Sequence, residues 1–67
     1  MRANVGKIVN LMCEKKINQG QLAKGCGVNV STVSAIMKGR SNPTLKTINK
    51  MALFLGCEPG EIVEREA

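Results

Sequence analysis

An all-α fold of five short helices is what the 67 residues predict, and three observations carry it. Apolar side chains recur at the i, i+3, i+4 spacing that gathers them on one helix face. Four such stretches are preceded by a residue suited to capping, namely Asn4, Asn18, Asn29 and Thr44. Three of the stretches then run into a glycine, Gly27, Gly39 or Gly56, free to take the left-handed conformation that ends a helix.

In chain order, Asn4 caps a first helix over about residues 4–16, with Val5, Ile8, Val9 and Met12 facing inward. Asn18 and Gln21 have the spacing of a capping box and open a second helix at 19–26 that buries Leu22, Ala23 and Cys26. Asn29 starts a third at 30–38, with Val33, Ile36 and Met37 at helical spacing. Its β-branched Val30, Thr32 and Val33 would also suit a strand, but strict alternation is absent. After the polar turn 39–43, Thr44 caps a fourth helix at 45–55 whose inner stripe is Leu45, Ile48, Met51, Ala52 and Leu55. Pro59 suits the first position of a fifth helix, 59–65. No strand is expected. The second and third helices, joined through Gly27, form a helix-turn-helix, whose second helix fits a DNA major groove.

Length and charge narrow the function. Residues 1–67 form one domain, because chains of this size fill a single small core. Residues 1–57 carry nine Lys/Arg against the single acid Glu14, a balance of +8, whereas residues 58–67 carry four Glu against Arg65, a balance of −3. A cationic body attracts polyanions, and phosphate contacts supply most non-specific nucleic-acid affinity. The sequence holds no His and no Asp, which removes the usual general acids and bases, and its three cysteines have no paired spacing. No enzyme, metal site, cofactor or small-molecule ligand is expected. The longest unbroken apolar run, residues 51–55, is far short of the ~18 residues of a membrane span, so a cytoplasmic protein with free thiols is expected.

The ordered set Gln19, Leu22-Ala23, Gly27-Val28, Ser31-Thr32-Val33-Ser34, Gly39, Asn42-Pro43 and Leu45 resembles the Xre family of phage-repressor and Cro-like helix-turn-helix proteins. The likeness runs from Ile17 through Leu55-Gly56 to Ile62. It implies a five-helix, lambda-repressor-like DNA-binding domain that acts as a Cro-type repressor, a homodimer assembled on double-stranded DNA at an operator of two-fold symmetry. It places Val30, Ser31, Thr32, Ser34 and Ala35 against base edges, and Asn18, Gln19, Lys38, Arg40, Ser41 and Asn42 against backbone phosphates. Lys24 and Lys46 are further phosphate candidates, while nothing separates such a role from plain solubility for Lys7, Lys15 and Lys16. Val30 and Ala35 depart from the hydrogen-bonding residues many relatives carry there, so polar readout falls on Ser31, with DNA shape as a supplement.

Two further expectations concern packing and assembly. Relatives pair an arginine late in helix one with a glutamate late in helix three; here both positions are methionine, Met12 and Met37, an apolar replacement that implies contact between those helices unless the two are unrelated core residues. Gly20 and Gly25 inside helix two read as tolerated weaknesses. Leu53 lies off the inner stripe of helix four and, with Phe54, Ile62 and Val63, forms a candidate dimer seam, although single exposed leucines are ordinary. A protein-interaction module on the same fold, antitoxin-like and binding DNA only weakly, is the alternative that the apolar reading positions leave open.

Overall fold

A computed structural model describes residues 2–64. Four α-helices form where the caps and periodicity place them: α1 (Val5–Lys15), α2 (Gln19–Cys26), α3 (Val30–Met37) and α4 (Leu45–Leu55). The side chains of Asn4, Asn18 and Thr44 accept the first-turn amides of Lys7, Gln21 and Thr47. At α2 the capping box is complete, since Gln21 also accepts the Asn18 amide at 2.9 Å.

All four helices end in the same way. The residue after each C-terminal turn is left-handed (Lys16, Gly27, Gly39 and Gly56), and the next amide returns five residues to a carbonyl of the last turn. Those bonds are Ile17 to Met12, Val28 to Ala23, Arg40 to Ala35 and Cys57 to Ala52, at 3.0, 3.0, 2.9 and 3.0 Å. The capping residue is glycine at three of these ends. At α1 it is Lys16 at φ 57°, a conformation that costs a side-chain-bearing residue about 1–2 kcal/mol.

The fifth expected helix and the absence of strands are both corrected. Pro59–Ile62 makes a 3-10 helix, and Val63–Glu64 (β2) continues as a strand, antiparallel to β1 (Arg2–Ala3) with Arg2 opposite Glu64 and Ala3 opposite Val63. The β-branched Val63 favours extended backbone, and the N-terminal segment supplies the partner that a fifth helix would have left unused. The Asn4 amide donates to the Ile62 carbonyl at 2.8 Å and extends this clasp between the two ends. The expected end of that helix at residue 65, like Met1 and residues 66–67 of the expected domain, lies outside the described residues.

The core gathers Ile8, Met12, Leu22, Ala23, Cys26, Val33, Ile48, Met51, Ala52, Leu55 and Ile62, with Ile17, Val28, Met37, Cys57 and Val63 packed at its margin. Three expectations about the core need correction. Val9 and Leu45 are exposed, by 41% and 60%, because Val9 turns past the narrow strip α1 buries and Leu45 sits in the first turn of α4, before that helix reaches the core. Ile62, grouped with a dimer seam, is fully buried: it closes the bottom of the core, against which the 3-10 helix and α4 pack. The expected contact of α1 with α3 through Met12 and Met37 is slight. Met12 is buried and Met37 packs at the edge of the same cluster, but the extensive contacts are those of α2 with α3 and with α4.

Cys26 and Cys57 are buried and half-buried thiols. Burial pushes the Cys26 pKa up, against the pull of Lys50; burial and then Glu61 raise that of Cys57. Both stay protonated near neutrality.

Candidate nucleic-acid interface

The turn between α2 and α3 is set by Gly27, whose positive φ reverses the chain so that Val28 tucks against the core while Asn29 caps α3. With Val33 and Ile36 anchoring its inner side, α3 turns Ser31 to the opposite face, and Val30 and Thr32 are exposed on its flanks in the first turn. Val30 is 52% exposed, Ser31 and Thr32 are exposed, and Ser34 and Ala35 are half-buried on the flank. The five residues expected at base edges therefore lie on one helix of two turns, graded from its open N-terminal end to its shielded middle.

The residues expected at phosphates fall into two groups on either side of that helix. Asn18 and Gln19 open α2. The Asn18 side-chain oxygen is already used, accepting the Gln21 amide at 2.8 Å, which leaves its NH2 group as the donor available to an external acceptor. Lys38, Arg40, Ser41 and Asn42 follow α3, and all four are exposed. Gly39 is what aims them: its left-handed turn and the Arg40 amide bond to Ala35 bring the loop back beside the end of α3. All nine described lysines and arginines are exposed, Lys24 and Lys46 included.

Two features of this region are not evident from the sequence. Asn29 caps α3 by position only; its side chain makes no capping hydrogen bond, so an exposed carboxamide stands at the start of the outward helix. Its residue type announced a cap, and nothing local announced that the cap would be idle. The second is Gly25. A Cβ there would overlap the edge of the Phe54 ring from α4, and one at Gly20 would crowd the Asn18 capping oxygen at 3.3 Å. Close approach of the Phe54 ring therefore bears on Gly25, whereas at Gly20 the Asn18 side chain need give by only a few tenths of an ångström. Phe54, 37% exposed, lies across α2, and with Leu53, Lys24 and Lys50 it lines an open groove of about 540 Å³. Leu53 is 85% exposed beside it, whereas Val63 is half-buried in the strand pair, so the four residues expected to share a seam do not form one surface.

Among the described residues no cluster of His, Cys, Asp or Glu could hold a metal ion, and no helix is long and apolar enough to cross a membrane. A capped second helix packed on a third, whose outer side shows small polar groups between the neutral Asn18 and Gln19 on one flank and the cationic Lys38 and Arg40 on the other, defines a helix-turn-helix protein. Residues 8–62 match the helix-turn-helix family, and the chain belongs to it. The transcriptional repressor RstR of the cryptic phage CTXphi from Vibrio cholerae is 40% identical over 57 residues, 85% of this chain and 51% of that protein, so the chain spans about half the length of this relative. The restriction-modification controller protein C.AhdI from Aeromonas hydrophila superposes with a TM-score of 0.79 at 32% identity, covering 85% of this chain and 86% of that one. A hypothetical transcription factor, NHTF, from Neisseria superposes at 0.83 with 30% identity, over 90% of this chain and 69% of that chain.

Proposed function

We propose that the protein is a sequence-specific regulator of transcription, a repressor of the Cro type, that places α3 in the major groove of double-stranded DNA and acts as a homodimer on a two-fold symmetric operator. One observation carries this reading: the α3 end returns an exposed arginine, Arg40, with Ser41 and Asn42 behind it, where a helix end ordinarily returns an apolar residue to the core. A cation fixed by its own backbone at the foot of the outward helix suits a phosphate beside the groove. The proteins it resembles include a phage repressor, a restriction-modification controller protein and a hypothetical transcription factor.

In this reading Ser31, aided by Thr32 and Ser34, hydrogen-bonds base edges, and Val30 and Ala35 meet thymine methyl groups. Asn18 and Gln19 hold the phosphate on one flank; Lys38, Arg40, Ser41 and Asn42 hold those on the other. The second copy docks on Leu53 and Phe54. The protein-interaction alternative keeps one specific support, the exposed Leu53 and Phe54 beside Lys24 and Lys50, which suit an acidic and apolar partner as well as a second copy.

Selection of bound sites from random DNA, followed by titration of the selected duplex at rising salt, tests the proposal. Ser31→Ala should relax base preference with little loss of total affinity, and Arg40→Ala should weaken binding to every sequence and flatten the salt slope by ~0.9. No enriched site and a flat salt response in the wild type would overturn it in favour of the interaction module.

A further inference from the structure

The strand pair and the loop after α3 enclose a groove of about 450 Å³, in which Ser41 and Asn42, assigned above to phosphate, are joined by Arg2, to which no role has been given. Arg2 and Glu64 line it from the strands, Ser41 and Asn42 from the loop, and Val5 and Gly6 from the start of α1. Both walls are held by backbone hydrogen bonds. On one side β1 pairs with β2, and the Asn4 amide donates to Ile62 at 2.8 Å; on the other the Arg40 amide closes on Ala35 at 2.9 Å. Arg2 is therefore an exposed guanidinium on an anchored strand, sharing a groove with two neutral hydrogen-bonding side chains of the loop that bears Arg40.

We propose that Arg2 is a further contact for the DNA backbone: with Ser41 and Asn42 it takes one phosphate of the duplex, next to those held by Lys38 and Arg40. This rests on the DNA-binding reading. The chemistry is that of a planar donor fork matched to phosphate oxygens, supplemented by a hydroxyl and an amide. Glu64, directly across the strand pair, sets the balance. Its carboxylate lines the same groove and repels an incoming phosphate, so the groove is a moderated anion site in which the acid limits affinity.

The test measures binding of a labelled mixed-sequence duplex against salt concentration for wild type, Arg2→Ala, Arg2→Lys, Glu64→Gln and Arg40→Ala, with thermal melts by circular dichroism in the same buffers. Arg2→Ala should flatten the log–log slope by ~0.9, Arg2→Lys should keep the wild-type slope, and Glu64→Gln should tighten binding. A purely structural pairing of Arg2 with Glu64 would lower the melting temperature of Arg2→Ala and Glu64→Gln alike, with no change in slope and no tighter binding; that result, alongside a flattened slope for Arg40→Ala, overturns the Arg2 proposal alone. A wild type without salt-dependent binding overturns the DNA-binding reading and Arg2 with it.

Discussion

The end of α3 and the ends of α1, α2 and α4 are closed by the same backbone device and put to opposite uses. After α1, α2 and α4 the amide that returns to the last turn belongs to Ile17, Val28 and Cys57, and all three side chains pack at the margin of the core. After α3 it belongs to Arg40, which is exposed. The motif itself is local and indifferent to the side chain that follows it, so one turn serves three times to fasten a helix to the core and once to present a cation. A single sequence position, rather than a different backbone, separates scaffold from surface.

The largest effect that would sharpen this division lies in two residues whose apolar character suggested a shared seam. Ile62 is fully buried and Leu53 is 85% exposed. Ile62→Ala should cost ~2–5 kcal/mol, a large share of the stability of so small a domain, by leaving a cavity under α4 and the 3-10 helix. Leu53→Glu should change stability by no more than about 0.5 kcal/mol, while abolishing the two-to-one complex with a palindromic duplex in sedimentation. Equal melting temperatures for the two variants would erase the distinction between them.

A middle-sized effect tests the helix ends directly. Ile17→Ala should lose ~1–2.5 kcal/mol, about half of what a fully buried isoleucine loses, because its side chain is half-buried against the core. Arg40→Ala, the same truncation at the equivalent position of α3, should melt within about 0.5 kcal/mol of wild type. A comparable loss at Arg40 would mean that its side chain also fastens α3, and the contrast between the two ends would fail.

What the sequence reveals and what it hides follow the same line between local and distant causes. The capping box of Asn18 and Gln21, the left-handed Gly27 and Gly56 and the buried trio Leu22, Ala23 and Cys26 are each legible because residues within one or two turns determine them. The pairing of Arg2–Ala3 with Val63–Glu64 is not legible: each strand is two residues long, too short for an alternating pattern, and its partner is at the far end of the chain. The sequence assigns Ile62 to a dimer seam for the same reason, since its burial depends on the distant packing of the 3-10 helix on α1 and α4. At the candidate interface, the exposure of Ser31 follows from Val33 and Ile36 being needed inside, whereas the groove holding Arg2 exists only once the strands have paired.

Gly25 gives a smaller test of that distant kind. Alanine gains ~1 kcal/mol over glycine in a helix interior, but here the added methyl meets the Phe54 ring, an overpacking worth ~1–3 kcal/mol. Gly25→Ala should therefore be destabilised by about 1 kcal/mol. In a Phe54→Ala background the same change should become stabilising, because only the helix gain is left. A double-mutant cycle by thermal melt checks both signs, and additivity would show that the ring does not hold Gly25 in place.

The smallest effect returns to the odd capping residue. Lys16 closes α1 at φ 57°, where Gly27, Gly39 and Gly56 close the other helices. The left-handed geometry costs lysine about 1–2 kcal/mol, and glycine would escape that cost while giving up ~0.5–1 kcal/mol to the greater freedom of its unfolded chain. Lys16→Gly should thus raise stability by about 0.5–1 kcal/mol, read as a higher melting temperature. Because Lys16 lies outside the two phosphate groups, its loss should leave the salt slope of DNA binding unchanged. A flatter slope in Lys16→Gly would place the end of α1 within the DNA footprint; a lower melting temperature would show that the lysine side chain supports the turn that precedes α2.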